Sequence, residues 1–67
     1  MYGIAHKIIE AQNWIKKQYG EEDYKRITDH MKERTKNNIA ILAYMTTDNL
    51  LPADVRLIAL ATMGELS

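Results

Sequence analysis

Apolar side chains recur at helical spacing from the start of the chain. Ile4, Ile8, Ala11, Ile15 and Tyr19 follow one another at intervals of three or four. That spacing lays them on one face of a helix. Trp14 and Ile9 flank the stripe, and His6, Glu10, Asn13 and Lys17 fall on the opposite side. Gly20 follows as a residue free to take positive φ and stop the helix. The pattern predicts a first helix over about 3–19.

The second apolar stripe is longer. Glu21, Glu22 and Asp23 open it, and carboxylates suit the partially positive start of a helix. Tyr24, Ile27, Met31, Thr35, Asn38, Leu42 and Met45 then recur on one side, with no Gly or Pro to interrupt them. This predicts a single second helix over about 21–46, on the order of 37 Å long. Its character changes sharply part-way. DYKRITDHMKERTKNN is mostly charged or amide-bearing, and IAILAYM directly after it is almost wholly apolar. Thr35 and Asn38 are polar residues inside the seam. A lone Asn at such a position can fix helix register and oligomer state; as an ordinary boundary residue it would bond water instead.

TTDNLL makes the next break, and Pro52 suits a first helical position because its missing N–H needs no partner there. Leu50 and Val55 have the spacing of a hydrophobic staple across the helix start. The third helix is expected over about 52–64, with Gly64 as its stop. Short connections make neighbouring helices antiparallel. No stretch alternates with period two, so a strand reading fails. The fold class is therefore all-α: a three-helix protein, a long helical hairpin plus a short apolar third helix.

The third helix asks for more cover than this hairpin provides. Between Val55 and Met63 only Arg56 and Thr62 are polar, and a helix apolar all round must be buried on most sides. Ile39, Ala40, Ala43 and Tyr44 add a second apolar side to the helix before it. Three or four large side chains left in water forfeit roughly 1.5–3 kcal/mol each, against a usual stability of ~5–15 kcal/mol. A second copy closing this end as a two-fold dimer is the expected remedy; the alternatives are a different partner protein on this surface, or a compact monomer whose small alanines permit tight three-helix packing. The expected interface is Ile39, Tyr44, Met45, Leu57, Leu60, Ala61 and Met63, with Tyr2 also facing a partner.

Length sharpens that expectation. With 67 residues the chain forms one domain spanning 1–67, and so short a chain buries only roughly 60% of the surface it exposes unfolded. It has no cysteine, which removes disulfides and thiolate-ligated metals as stabilisers and fits a cytoplasmic setting. Nine basic and nine acidic residues cancel, so no net charge pulls the chain toward nucleic acid or an anionic membrane. The longest apolar run, Ile39 to Met45, is far short of a membrane span. No secretory leader or myristoylation start is expected from the first residues.

The chemistry-bearing residues form no recognisable constellation. His30, Asp29 and Glu33, with His6 and Glu10, have the residue types of a helix-bundle metal site. Helical phase puts most of them on solvent faces, so no metal or cofactor is expected. No Ser-His-Asp spacing suggests a triad, and no glycine loop could cradle phosphate; the chain reads as a non-enzyme. Lys25, Lys32 and Lys36 share one side of the second helix, with Lys16 and Lys17 nearby. This is either a phosphate-contacting stripe or a solvated face laced with pairs such as Asp29–Lys25, Asp29–Lys32 and Glu33–Lys36. The sequence thus favours a homo-oligomeric protein–protein interaction module, a small adaptor, regulator or inhibitor of bacterial or phage type acting on a larger protein target. The alternative is a nucleic-acid-associated protein working through the lysine stripe.

Overall fold

Gly20 ends the first helix as its conformational freedom allows. In the computed structural model, which describes residues 3–67, α1 runs Ile4–Tyr19 and Gly20 sits at φ 89°, its N–H donating to Lys16 O at 2.8 Å. Met1 and Tyr2, and so the partner contact expected of Tyr2, lie outside the described residues. The stripe on α1 is only partly interior. Ala11 and Ile15 are buried and Ile8 is half-buried, whereas Ile4 and Tyr19 at its ends are exposed.

The chain forms four helices among the described residues, not three. The expected 21–46 helix is two: α2, Glu21–Thr35, and α3, Ile39–Thr47. Lys36 and Asn37 separate them at φ 53° and 58°. The chemistry of the break is complete without glycine. Lys36 N–H donates to Glu33 O at 3.2 Å and Asn37 N–H to Lys32 O at 2.9 Å. This is the paired 5→2 and 6→1 pattern of a Schellman stop, with Lys36 in the left-handed position. Asn38 then starts α3. Its Oδ1 accepts the N–H groups of Ala40 and Ile41 at 2.9 and 3.3 Å, the work of an N-cap. Asn38 is therefore an exposed cap and not a seam residue that sets register. Geometry shows why breaking the helix helps. A continuous helix of about 37 Å would overrun the molecule's longest dimension, 31 Å.

The fourth helix, α4, runs Ala53–Glu65 and packs against all three others. Its all-round apolar character is thus answered mostly inside the chain. The extra partner is α3, which the break frees to fold back onto α4. Ala59, Ala61 and Thr62 on α4 are buried. With Leu42 of α3 and Ile15 of α1, which are fully buried, they fill the interior, and Ile58 and Leu60 pack partly buried around it. Pro52 is the N-cap, and the helix begins at Ala53. Leu50 forms no staple with Val55: it is 94% exposed, and Leu51 turns inward instead.

Gly64 is not a stop. It lies within α4, where its missing side chain matters: a Cβ there would collide with Ile8 Cγ2 and the Gln12 amide. Glycine lets α4 come close to α1 at that crossing. Beside it, Tyr24 Oη donates to Glu65 Oε2 at 2.6 Å, and Gln12 Nε2 donates to the same oxygen at 3.3 Å and to Ala61 O at 3.4 Å. These bonds tie α1, α2 and α4 together at one end. The buried hydroxyls of Thr28, Thr35 and Thr62 donate back to the carbonyls of Tyr24, Met31 and Ile58 at 2.7–3.0 Å. Their polarity is satisfied within each helix, so their methyl groups can pack in the core.

Candidate interaction surface

Among the described residues, hollows with apolar floors open at two places. The first lies along α1 and α4. One half, about 300 Å³, runs between Ile4 and Lys7 on one side and Thr46 and Leu60 on the other. The second half, about 290 Å³, continues past Lys7 to Ala11, Trp14 and Leu57. Lys7 and Leu60 border both, so they form one groove. Trp14 is 39% exposed at its edge and meets Tyr19 edge-to-face, ring centroids 6.5 Å apart. The ring is held at the surface by helix phase and by this stacking.

The second hollow, about 470 Å³, opens where the ends of α2 and α3 meet the start of α4. Met31, Ile41, Met45, Leu51 and Val55 form its apolar lining, and His30 and Arg34 stand at its border. His30 and Arg34 are four residues apart on α2 and so share a face. The break at Lys36 and Asn37 creates this cleft, because a straight helix would carry Met45 away from Met31. Tyr44, 67% exposed, stands one turn from Ile41 on α3, and Leu50 projects from the loop next to Leu51.

The residues expected at an oligomer interface do not share one surface. Leu57 and Leu60 line the α1/α4 groove and Met45 lines the second cleft. Tyr44 and Ile39 are exposed on α3, and Met63 is half-buried on α4. Ala61 corrects the expectation outright: it is fully buried in the core beside Ile15 and Tyr24, because it sits where α4 crosses α1. Sequence reasoning passed over Ile41, Leu50 and Arg34. Leu50 has the spacing of a staple residue, and Ile41 falls off the apolar stripe of a continuous 21–46 helix, so neither signals an exposed site.

The lysines are scattered in role. Lys32 pairs with Asp29 at 3.5 Å. Lys16 lies over the Tyr24 ring, 5.0 Å from its centroid. Lys36 is committed through its backbone to the Schellman stop, and Lys17 and Lys25 are exposed. Of the expected pairs only Asp29–Lys32 is formed, and Arg26 pairs with Asp23 instead. His6 pairs with Glu10 on the exposed side of α1. Among the described residues no three His, Asp or Glu side chains converge as a metal site would require, and no helix is long and apolar enough to cross a membrane. Burial, and the Glu65 carboxylate that accepts its hydrogen bond, push the Tyr24 phenol well above its ordinary range. Tyr24 is thus a neutral donor that holds helices together. No known protein family, curated protein or solved structure matches the chain.

Proposed function

We propose that this chain is a protein–protein interaction module, a small adaptor, regulator or inhibitor that works as a homo-oligomer and not as an enzyme. One observation supports the reading above others. On a domain of 67 residues, large apolar side chains remain exposed in groups beside two hollows: Ile4 and Trp14 at one, Ile41, Tyr44 and Leu50 at the other. Single exposed hydrophobics are ordinary, but clusters rimmed by polar residues mark binding surfaces. Aromatic anchors at a groove edge, such as Trp14, are typical of residues that dominate binding. The two hollows give the chain one face for a second copy and one for a larger target.

Sedimentation equilibrium tests the self-association half. A mass of twice 7.8 kDa or more at micromolar concentration is the expected result, and a mass near 7.8 kDa would overturn it. The nucleic-acid alternative has weaker support. Asp29 interrupts the lysine stripe and engages Lys32, and Lys16 is drawn onto Tyr24. Phosphate binding draws on several Lys or Arg side chains at once, and two of these five are engaged within the chain.

A further inference from the structure

We propose that the α2–α3–α4 cleft is half of a two-fold interface, in which Leu50 of a second copy fills it. The inference rests on the self-association reading and says where and how it occurs. The cleft and its filler are neighbours in sequence. Leu51 turns in and lines the cleft, while Leu50 beside it points out, 94% exposed. A knob set next to a hole is the arrangement a two-fold axis exploits: each copy's knob enters the other's hole, and the contact closes after two chains.

Charge agrees with the fit. The cleft border carries His30 and Arg34, and Arg34 makes no ion pair among the described residues. The knob has acidic neighbours. Asp48 Oδ1 is occupied by Leu50 N–H at 3.0 Å, which fixes the turn that projects Leu50. Asp54, exposed in the first turn of α4, receives only its neighbour Val55 N–H at 2.9 Å on Oδ1, leaving Oδ2 open. In a reciprocal pairing Asp54 of one copy meets Arg34 of the other, a carboxylate–guanidinium contact suited to two-pronged bonding. Zero net charge sets no long-range repulsion between copies. The floor is adaptable as well, since Met31 and Met45 reshape easily around an incoming side chain. Burial of Leu50 also draws in Ile41 and Tyr44, the exposed apolar residues on the same side of α3.

The test is sedimentation of the wild type, Leu50→Asp, Arg34→Glu and the double variant Arg34→Glu/Asp54→Arg. Each dimer loses two buried leucines in Leu50→Asp, so its dissociation constant should rise at least about a hundredfold. Arg34→Glu should weaken the dimer about tenfold, and Asp54→Arg added to it should restore most of that loss. The helical circular dichroism of Leu50→Asp should match the wild type, because Leu50 touches little within its own chain. A second measurement guards against a folding artefact. The chain has no cysteine, so Leu50→Cys takes a single nitroxide label. Mixed with unlabelled copies, it should broaden the Met31 and Met45 methyl resonances of those copies. A dimer that is indifferent to Leu50→Asp, or that leaves those methyls sharp, overturns this interface while self-association stands. A wild type that stays monomeric at micromolar concentration overturns both.

Discussion

Replacing Asn38 with alanine decides by sign whether the chain breaks between α2 and α3. In the structure the Asn38 side chain holds the Ala40 and Ile41 N–H groups at the start of α3. Alanine removes both acceptors, and the loss of an N-cap costs about 1 kcal/mol, within a range of ~0.5–2. Helix α3 has nine residues, too few to persist alone, so its contacts with α4 must absorb that loss. Were residues 21–46 one continuous helix, the same change would remove a poor helix former from its interior. It would then stabilise the protein by roughly 0.5 kcal/mol. Urea unfolding followed by circular dichroism, at fixed protein concentration so that association does not intrude, measures the difference. For a domain of this size, 1 kcal/mol corresponds to a Tm shift of about 4–8 °C. Asn38→Asp is the control, because aspartate also caps and should stay close to wild type. An Asn38→Ala protein as stable as the wild type, or more so, would refute the break.

Gly64→Ala should destabilise the fold by about 1 kcal/mol in the same assay: a Cβ forced against Ile8 and Gln12 costs ~1–3 kcal/mol, less the ~1 kcal/mol that alanine gains in helix propensity. A more stable variant would show that α1 and α4 do not approach closely at Gly64. Tyr24→Phe should cost about 1 kcal/mol near neutral pH through loss of the bond to Glu65. It should also change the alkaline limb. The folded-state pKa is raised, so this contribution is complete below the unfolded value of about 10 and is lost as pH climbs above it, by at most about 1.4 kcal/mol per pH unit. Phenylalanine should flatten that decline, and an unchanged limb would show that Tyr24 is not held as a neutral donor. In a low-salt gel shift, the wild type should leave duplex DNA and single-stranded RNA unretarded. Retardation that fades steeply with salt and falls in Lys32→Glu would revive the nucleic-acid reading. Any protein that copurifies with the wild type should be lost with Trp14→Ala and kept with Leu50→Asp, if the α1/α4 groove is the face for a larger target.

Much of the fold was legible because the chemistry of its ends was ordinary. Gly20 and Pro52 marked two boundaries within a residue or so, and the all-helical class followed from spacing alone. The missed boundary has no Gly or Pro. A left-handed lysine at Lys36 carries no sequence signature, because its conformation comes from the hydrogen bonds of the stop and not from its side chain. The Asn37-Asn38 pair was the available signal. Asparagine tolerates left-handed φ and also leads as an N-cap, so two of them before an apolar run read as a stop and a start. The switch from charged to apolar character at Ile39 marks the same place. It reflects a new helix beginning on a new partner and not a change along one continuous helix. Gly64 misled for a related reason. A glycine near a helix end reads as a stop, and only the position of Ile8 and Gln12 across the crossing shows that it serves packing.

That single break also moves the argument about association. With three helices, the apolar circumference of α4 demanded a second chain. With four, α4 packs against α1, α2 and α3, and most of its apolar circumference is covered within the chain. The unmet demand shifts to the outer side of α3 and the loop after it, where Ile41, Tyr44 and Leu50 stand exposed beside the cleft that the break opens. The proposed self-association accordingly maps to the junction of α2, α3 and α4, away from the buried Ala61. The cleft it would use exists because of the same left-handed residues, Lys36 and Asn37, that fold α3 back onto α4. A variant that straightened Lys36–Asn38 into helix would uncover α4 and erase the cleft together, so intrachain stability and dimer formation should fall in the same substitution series.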